Sequence, residues 1–254
     1  MKEFGGLKIL KVLQVPYLIV TLATLLTLLY ASYRDLKYRD IPELTWVPAA
    51  IVALAVNLVL GEYNDILYLV FSLMPAVLIL IMSLFGMIGG ADFLAILLVG
   101  IAHPKFKFLP ISLLTLLYSL IIPLLLVIYY AIYNLLMFRA TLSSIKCGRG
   151  RRLYLILFGK PIRVRDFLKM KFTYLLTVPR GGGFDCRASF SLEEEEGTIR
   201  ELILKYVNDG VLSLDDYVWV TPALPHVFFI LIGYVLSILT AEQLPQLLIT
   251  YIFH

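Results

Sequence analysis

Two aspartates are the residues of this 254-residue chain whose type and setting best suit chemistry. Asp92 is the single charged residue between positions 66 and 102, and Asp35 lies just past the end of an uncharged apolar run at 15–33. An ionisable group at or inside such a run is costly to keep and points to function, with a partner to be named. Two carboxylates brought close together hold one proton between them, because both do not ionise side by side. The ionised member can then activate water while the protonated one donates a hydrogen bond to a carbonyl, which is chemistry that hydrolyses a peptide bond without a metal or a covalent intermediate. Gly89-Gly90 stands just before Asp92, and absent side chains let an extended backbone approach. The plainer reading of the pair is a tight turn between two helices, and of Asp35 a solvated interfacial carboxylate.

What must position the two acids is a membrane protein. The chain is 60% hydrophobic and 16% charged, with a mean hydropathy of +0.88. That is too little charge to cover a water-soluble globule and too much apolar surface for disorder. Apolar runs at 15–33, 44–60, 66–102, 109–137 and 223–239 yield six spans when 66–102 is divided at Gly86 and Gly89-Gly90. Pro123 predicts a kink or tilt in the fifth. The expected fold class is therefore a polytopic α-helical membrane protein with six transmembrane helices and a small soluble α+β insert before the last helix. Its divisions are 1–138 (five helices and both aspartates), 139–216 (the insert) and 217–254 (the last helix and a hydrophobic tail).

Parity brings the aspartates together. Asp35 lies just past the end of span one and Asp92 at the start of span four, so both fall on one face. The first loop carries Arg34, Lys37 and Arg39, and eleven Lys or Arg lie between Arg139 and Arg180. These outweigh Lys2, Lys8, Lys11, Lys105 and Lys107 on the other side, so the face with the aspartates and the insert is assigned to the cytoplasm of a multi-pass cell-membrane protein. The net charge of +4 reads as this orientation signal, with no nucleic-acid partner implied.

Within the insert, 153–158 and 172–178 read as strands. Residues 191–208 read as a helix with Ser191 as its cap and Gly210 beyond its end. The run Glu193 to Glu196 reads as a helix start favoured by the dipole, or as an electrostatic attractor for a basic ligand. Two cysteines exclude a four-cysteine zinc site; a Cys147–Cys186 bridge stays open, although a reducing cytosol argues against it. His103, His226 and His254 lack a second ligand at metal spacing and read as ordinary loop residues, so no metal or cofactor is called for. Asp40 and Glu43 compete with Asp35 for the pair, Asp65 falls on the opposite face, and Asp185, Asp209, Asp215 and Asp216 belong to the insert. Arg39 can hold a carboxylate or a lipid phosphate.

Three segments carry a family likeness. Asp35-Leu36-Lys37-Tyr38-Arg39-Asp40-Ile41-Pro42, Gly89-Gly90-Ala91-Asp92 and Trp219-Val220-Thr221-Pro222-Ala223-Leu224-Pro225 together resemble the GxGD membrane aspartyl peptidases. The likeness is greatest to the archaeal prearchaellin (preflagellin) peptidases, relatives of the type IV prepilin peptidases. Ala91 replaces the second glycine of the motif, and the cysteine-rich zinc loop of many bacterial prepilin peptidases is absent. The resemblance implies an aspartic endopeptidase in which Asp35 and Asp92 are the catalytic pair. It also implies removal of a short basic leader peptide from archaellin or type IV pilin-like precursors at the cytoplasmic face. Two other classes remain as readings of the residues alone: a proton-coupled transporter using membrane carboxylates, and a non-enzymatic scaffold for archaellum or pilus assembly. Oligomeric state is not legible; membrane lipid is the other expected partner.

Overall fold

A helix rises about 1.5 Å per residue, so crossing a hydrocarbon core of about 30 Å takes about 20 apolar residues. The computed structural model describes residues 3–86, 88–139, 142, 145, 147–180, 183–186 and 196–241. Among them three helical stretches meet that requirement: Val15–Tyr38, Ile66–Leu84 and Ile111–Met137. Three further apolar helices, Glu43–Val59, Gly90–Ala102 and His226–Thr240, are shorter. The chain is thus mostly helical with a small sheet region toward its C-terminus, and three of the six expected spans have full length. The described residues group into two units, Met1–Ile122 with Pro225–His254, and Pro123–Leu224.

In the first unit, α1 (Glu3–Tyr38) runs past the expected end at Tyr33, because nothing in Arg34 to Tyr38 breaks a helix. Asp35 is therefore helical, in the last turn, rather than in the following loop. The helix stops where Arg39 turns into the left-handed region at φ 56°. A short 3-10 turn, Glu43–Thr45, leads into α2 (Val47–Val59). Next, α3 (Ile66–Leu84) begins at Asp65, whose carboxylate accepts the Leu67 N–H at 3.1 Å. Gly86, at φ 68°, ends that run, and α4 (Gly90–Ala102) starts after Gly89. The expected long fifth helix is interrupted at Leu120 into α5 (Ile111–Ser119) and α6 (Ile121–Met137). Pro123 explains the position, since its ring collides with the carbonyl four residues back, at Ser119.

Small residues set this unit's packing. Ala31, Ala49, Ala76 and Ala95 are buried beside Leu28, Trp46, Ile96, Val99, Ile230 and Tyr234, so helix backbones approach closely. The last helix, α10 (His226–Thr240), lies against α5, α1 and α4. Its Gly233 faces the Thr115 carbonyl, with the Ser119 nitrogen 2.9 Å from where a Cβ would stand. Thr115 and Ser237 share a hydrogen bond of 2.9 Å across the same seam. The C-terminal carbonyls of α4 are satisfied by neighbours: Asn57 donates to Ile101 and Ala102 at 3.0 and 3.1 Å, and Ser72 donates to Gly100 and His103 at 3.1 and 3.0 Å. The unit thus has a polar end built on the close of α4 and another built on its start, where Asp92 lies.

In the second unit, residues 153–158 are not a strand. They belong to α7 (Arg149–Phe158), bracketed by Gly148 and Gly159. Asn134 donates to the carbonyls of Leu155, Ile156 and Gly159 at 3.4, 2.9 and 2.7 Å, closing that helix from outside. Then follow β1 (Lys160–Arg163), the single turn α8 (Val164–Phe167), β2 (Thr173–Leu175), β3 (Thr177–Arg180), β4 (Gly183–Cys186), α9 (Glu196–Asn208) and β5 (Tyr217–Pro222). The strand expected at 172–178 is divided between two sheets. β2 and β1 flank the central β5, both antiparallel, with Pro161 opposite Trp219 and Tyr174 opposite Thr221, while β3 pairs with β4. Ile199 and Ile203 of α9 join Ile162, Phe167, Leu175, Val218 and Val220 in the core. Ser191 and Glu193 to Glu195 lie outside the described residues. Cys147 and Cys186 form a disulfide, with Cα atoms 5.4 Å apart. Turning the chain back through the β3–β4 hairpin sets Cys186 beside Cys147, a proximity their separation of 39 residues does not disclose.

Candidate active site

The close of α1 and the start of α10 meet at Asp35. Pro225, at the cap position of α10, offers no capping side chain. Asp35, 192 residues before Val227, takes that role, its Oδ2 accepting the Val227 N–H at 3.1 Å. One turn earlier on α1, Ser32 donates to the Val227 carbonyl at 3.3 Å, so α1 holds this one residue by both of its backbone polar groups. A carboxylate at a helix N-terminus also lies at the positive end of the peptide dipoles. On its other oxygen, Oδ1, Asp35 meets Arg39 Nη1 at 3.5 Å. The left-handed backbone at Arg39 turns the chain so that its side chain lies back along the last turn of α1.

Asp92 stands in the first turn of α4, its backbone N–H bonded to the Gly89 carbonyl at 3.2 Å. Its Oδ1 lies 3.1 Å from Nδ1 of His226. The ring is turned off the line a hydrogen bond needs, so the contact is one of proximity. The side chains of Asp35 and Asp92 are 13% and 11% exposed, and their charges are close enough to act on each other. The first two residues of α10 therefore touch both carboxylates: His226 meets Asp92, and Val227 meets Asp35.

The other acids are disposed differently. Asp40 is well exposed and pairs with Arg34 at 3.5 Å, away from Asp35. Glu43 is exposed and lines a groove of about 590 Å³ together with Trp46, Ala50, Gly90, Ala91 and Leu97. A Cβ on Gly90 would meet nothing within 4 Å, so the backbone just ahead of Asp92 is bare along this groove. Asp65 caps α3, the helix whose Ser72 serves the far end of α4. Among the described residues no group of three His, Cys, Asp or Glu side chains is placed to hold a metal. His103, expected in a loop, is wholly buried and bonded through Nε2 to the Tyr234 hydroxyl at 2.8 Å.

Residues 22–142 match the model of the Type IV leader peptidase family, and residues 151–241 match Archaeal Peptidase A24 C-terminus Type II. The chain belongs to the type IV leader peptidase family. The first match takes in both aspartates, and the second takes in the start of α10. Comparison with curated proteins finds no match. Sequence reasoning about the peptidase missed two members of this cluster, Ser32 and His226. The available signal for His226 was its place as the one ionisable residue between the Pro222 to Pro225 run and the apolar stretch behind it.

Proposed function

We propose that this leader peptidase is an aspartic endopeptidase that removes the short basic leader from archaellin or type IV pilin-like precursors at the cytoplasmic face of the cell membrane. Asp35 and Asp92 form its dyad. The observation that carries this reading is the start of α10, where the Val227 N–H holds Asp35 and His226 lies 3.1 Å from Asp92, so that one helix end meets both mostly buried acids. One carboxylate takes a proton from water as it attacks the scissile carbonyl, and the other donates its proton to the carbonyl oxygen. The proton taken from water then passes to the departing amine. The bare backbone at Gly90 leaves room for an extended substrate beside Asp92.

The same reading makes α2, α4 and α10 short spans beside the three of full length, six in all, carrying the dyad at the cytoplasmic side. Bilayer thinning and snorkelling flanks accommodate helices shorter than the hydrocarbon core. The divisions 1–138, 139–216 and 217–254 go with it. The test is cleavage of a precursor by membranes holding wild type, Asp35→Asn or Asp92→Asn, with insertion checked by extraction. Each variant should lose activity by about 10²-fold or more. Cleavage at the wild-type rate by either one overturns the dyad.

A further inference from the structure

His226 takes no part in the proton transfers above, yet its Nδ1 lies 3.1 Å from Oδ1 of Asp92. Its Nδ1 is buried, and the acceptor nearest it is the Asp92 carboxylate at 3.1 Å. The two side chains are only 20% and 11% exposed, so water does little to screen the contact. His226 opens α10, and the next residue carries the N–H that holds Asp35. One helix start therefore fixes the relative placement of the two carboxylates, through a backbone group on one side and a ring on the other.

We propose that His226 is a positioning residue of the dyad, its imidazole orienting the Asp92 carboxylate toward the proton that Asp92 shares with Asp35. The inference rests on the dyad reading and names a member of the site that the reading does not require. The ring tightens onto Asp92 when substrate fills the site, as catalytic hydrogen bonds that are poorly aligned in an empty enzyme commonly do. The charged groups around it are few. Asp35 comes from α1 and Arg39 from the residue just past it, Asp92 is the one charged side chain of α4, and α5 carries no charged side chain, its one ionisable group being Tyr118. Arg34 and Lys37 of α1 are engaged by Asp40 and Tyr33.

The experiment measures kcat and KM separately for the full chain in detergent, with a synthetic precursor peptide as substrate. Wild type, His226→Leu, His226→Asn and Asp92→Asn are compared, each checked for a cooperative thermal transition. His226→Leu should lose kcat by roughly tenfold to a hundredfold, the scale of a misplaced catalytic group, with KM nearly unchanged. His226→Asn sets an amide nitrogen near the place of Nδ1 and should recover most of kcat, a rescue that a merely structural role would not give. A His226→Leu enzyme with wild-type kcat overturns the proposal. So does a His226→Asn enzyme no faster than His226→Leu, or a loss confined to KM. Should Asp92→Asn cleave at the wild-type rate, the dyad reading falls first and this inference falls with it. Inactive Asp92→Asn beside a wild-type-like His226→Leu sinks this inference alone.

Discussion

Arg39 offers a perturbation in which backbone strain and charge can be separated. Its φ of 56° is the left-handed conformation, which costs a side-chain-bearing residue about 1–2 kcal/mol and glycine almost nothing. Arg39→Ala keeps that strain and removes the guanidinium; Arg39→Gly removes both. The glycine also frees the unfolded chain, an offset of about 0.4–1 kcal/mol. Gly should therefore exceed Ala in stability by about 0.5–1 kcal/mol, read from thermal or denaturant unfolding in one detergent. Against wild type, both variants also forfeit a mostly buried ion pair at 3.5 Å, and leaving the Asp35 carboxylate without its cation costs on the order of 3 kcal/mol. Both should consequently be less stable than wild type, the alanine variant by the greater margin. Precursor cleavage should fall in both variants to the same extent, by about tenfold, because both leave Asp35 without its cation. Equal stabilities for Ala and Gly refute the strain argument, and wild-type cleavage by Arg39→Gly refutes the role given to the ion pair.

Other perturbations reach further into the fold. Gly233→Ala puts a methyl group against Thr115 and Ser119 backbone atoms; prising α10 from α5 should cost about 1–3 kcal/mol and slow cleavage, measured by thermal shift and precursor processing. Asn134→Ala removes the side-chain donor to the Ile156 and Gly159 carbonyls and should destabilise the Pro123–Leu224 unit by about 1–3 kcal/mol, read as faster proteolysis there. Cys147→Ser opens a bridge closing 39 residues, worth about 4 kcal/mol in loop entropy, and should show as earlier unfolding of the same unit. Burial holds His103 down to about 4, below the ordinary 6.5, so its neutral form is favoured only in the folded state. Stability should drop as pH falls from about 6.5 toward 4 and level off below, and that slope should vanish in His103→Phe, followed by heat inactivation against pH.

The two aspartates were legible because charge is scarce in the apolar runs: a lone acid between 66 and 102 has no ordinary explanation. Hydropathy also located the apolar helices, since burial in lipid and burial in protein select the same residues. Asp35's true setting was hidden, because the apolar run ends at Tyr33 while the helix, which nothing in Arg34 to Tyr38 breaks, does not, and the contact of Asp35 with Val227 leaves no local trace. The strand reading at 153–158 failed for a related reason. A short apolar run has no period of its own, and the donor that closes it as a helix, Asn134, comes from α6. The boundary drawn at 216 falls just ahead of β5, whose central place follows from pairing with β1 and β2 and from nothing local. His226 escaped notice because it was weighed as a metal ligand, where its solitude counted against it.

On the proposed dyad, the grip of α1 on Val227 also sets when the two acids can be brought together. A ribosome adding about 5–20 residues per second needs roughly 10–40 s to travel the 192 residues from Asp35 to Val227. Asp92 follows Asp35 by 57 residues, so for the greater part of that interval the emerging polypeptide carries both acids and lacks the helix start that meets them. The pairing waits until α10 has begun to emerge. A chain truncated before that point keeps Asp35 without the Val227 N–H that holds it.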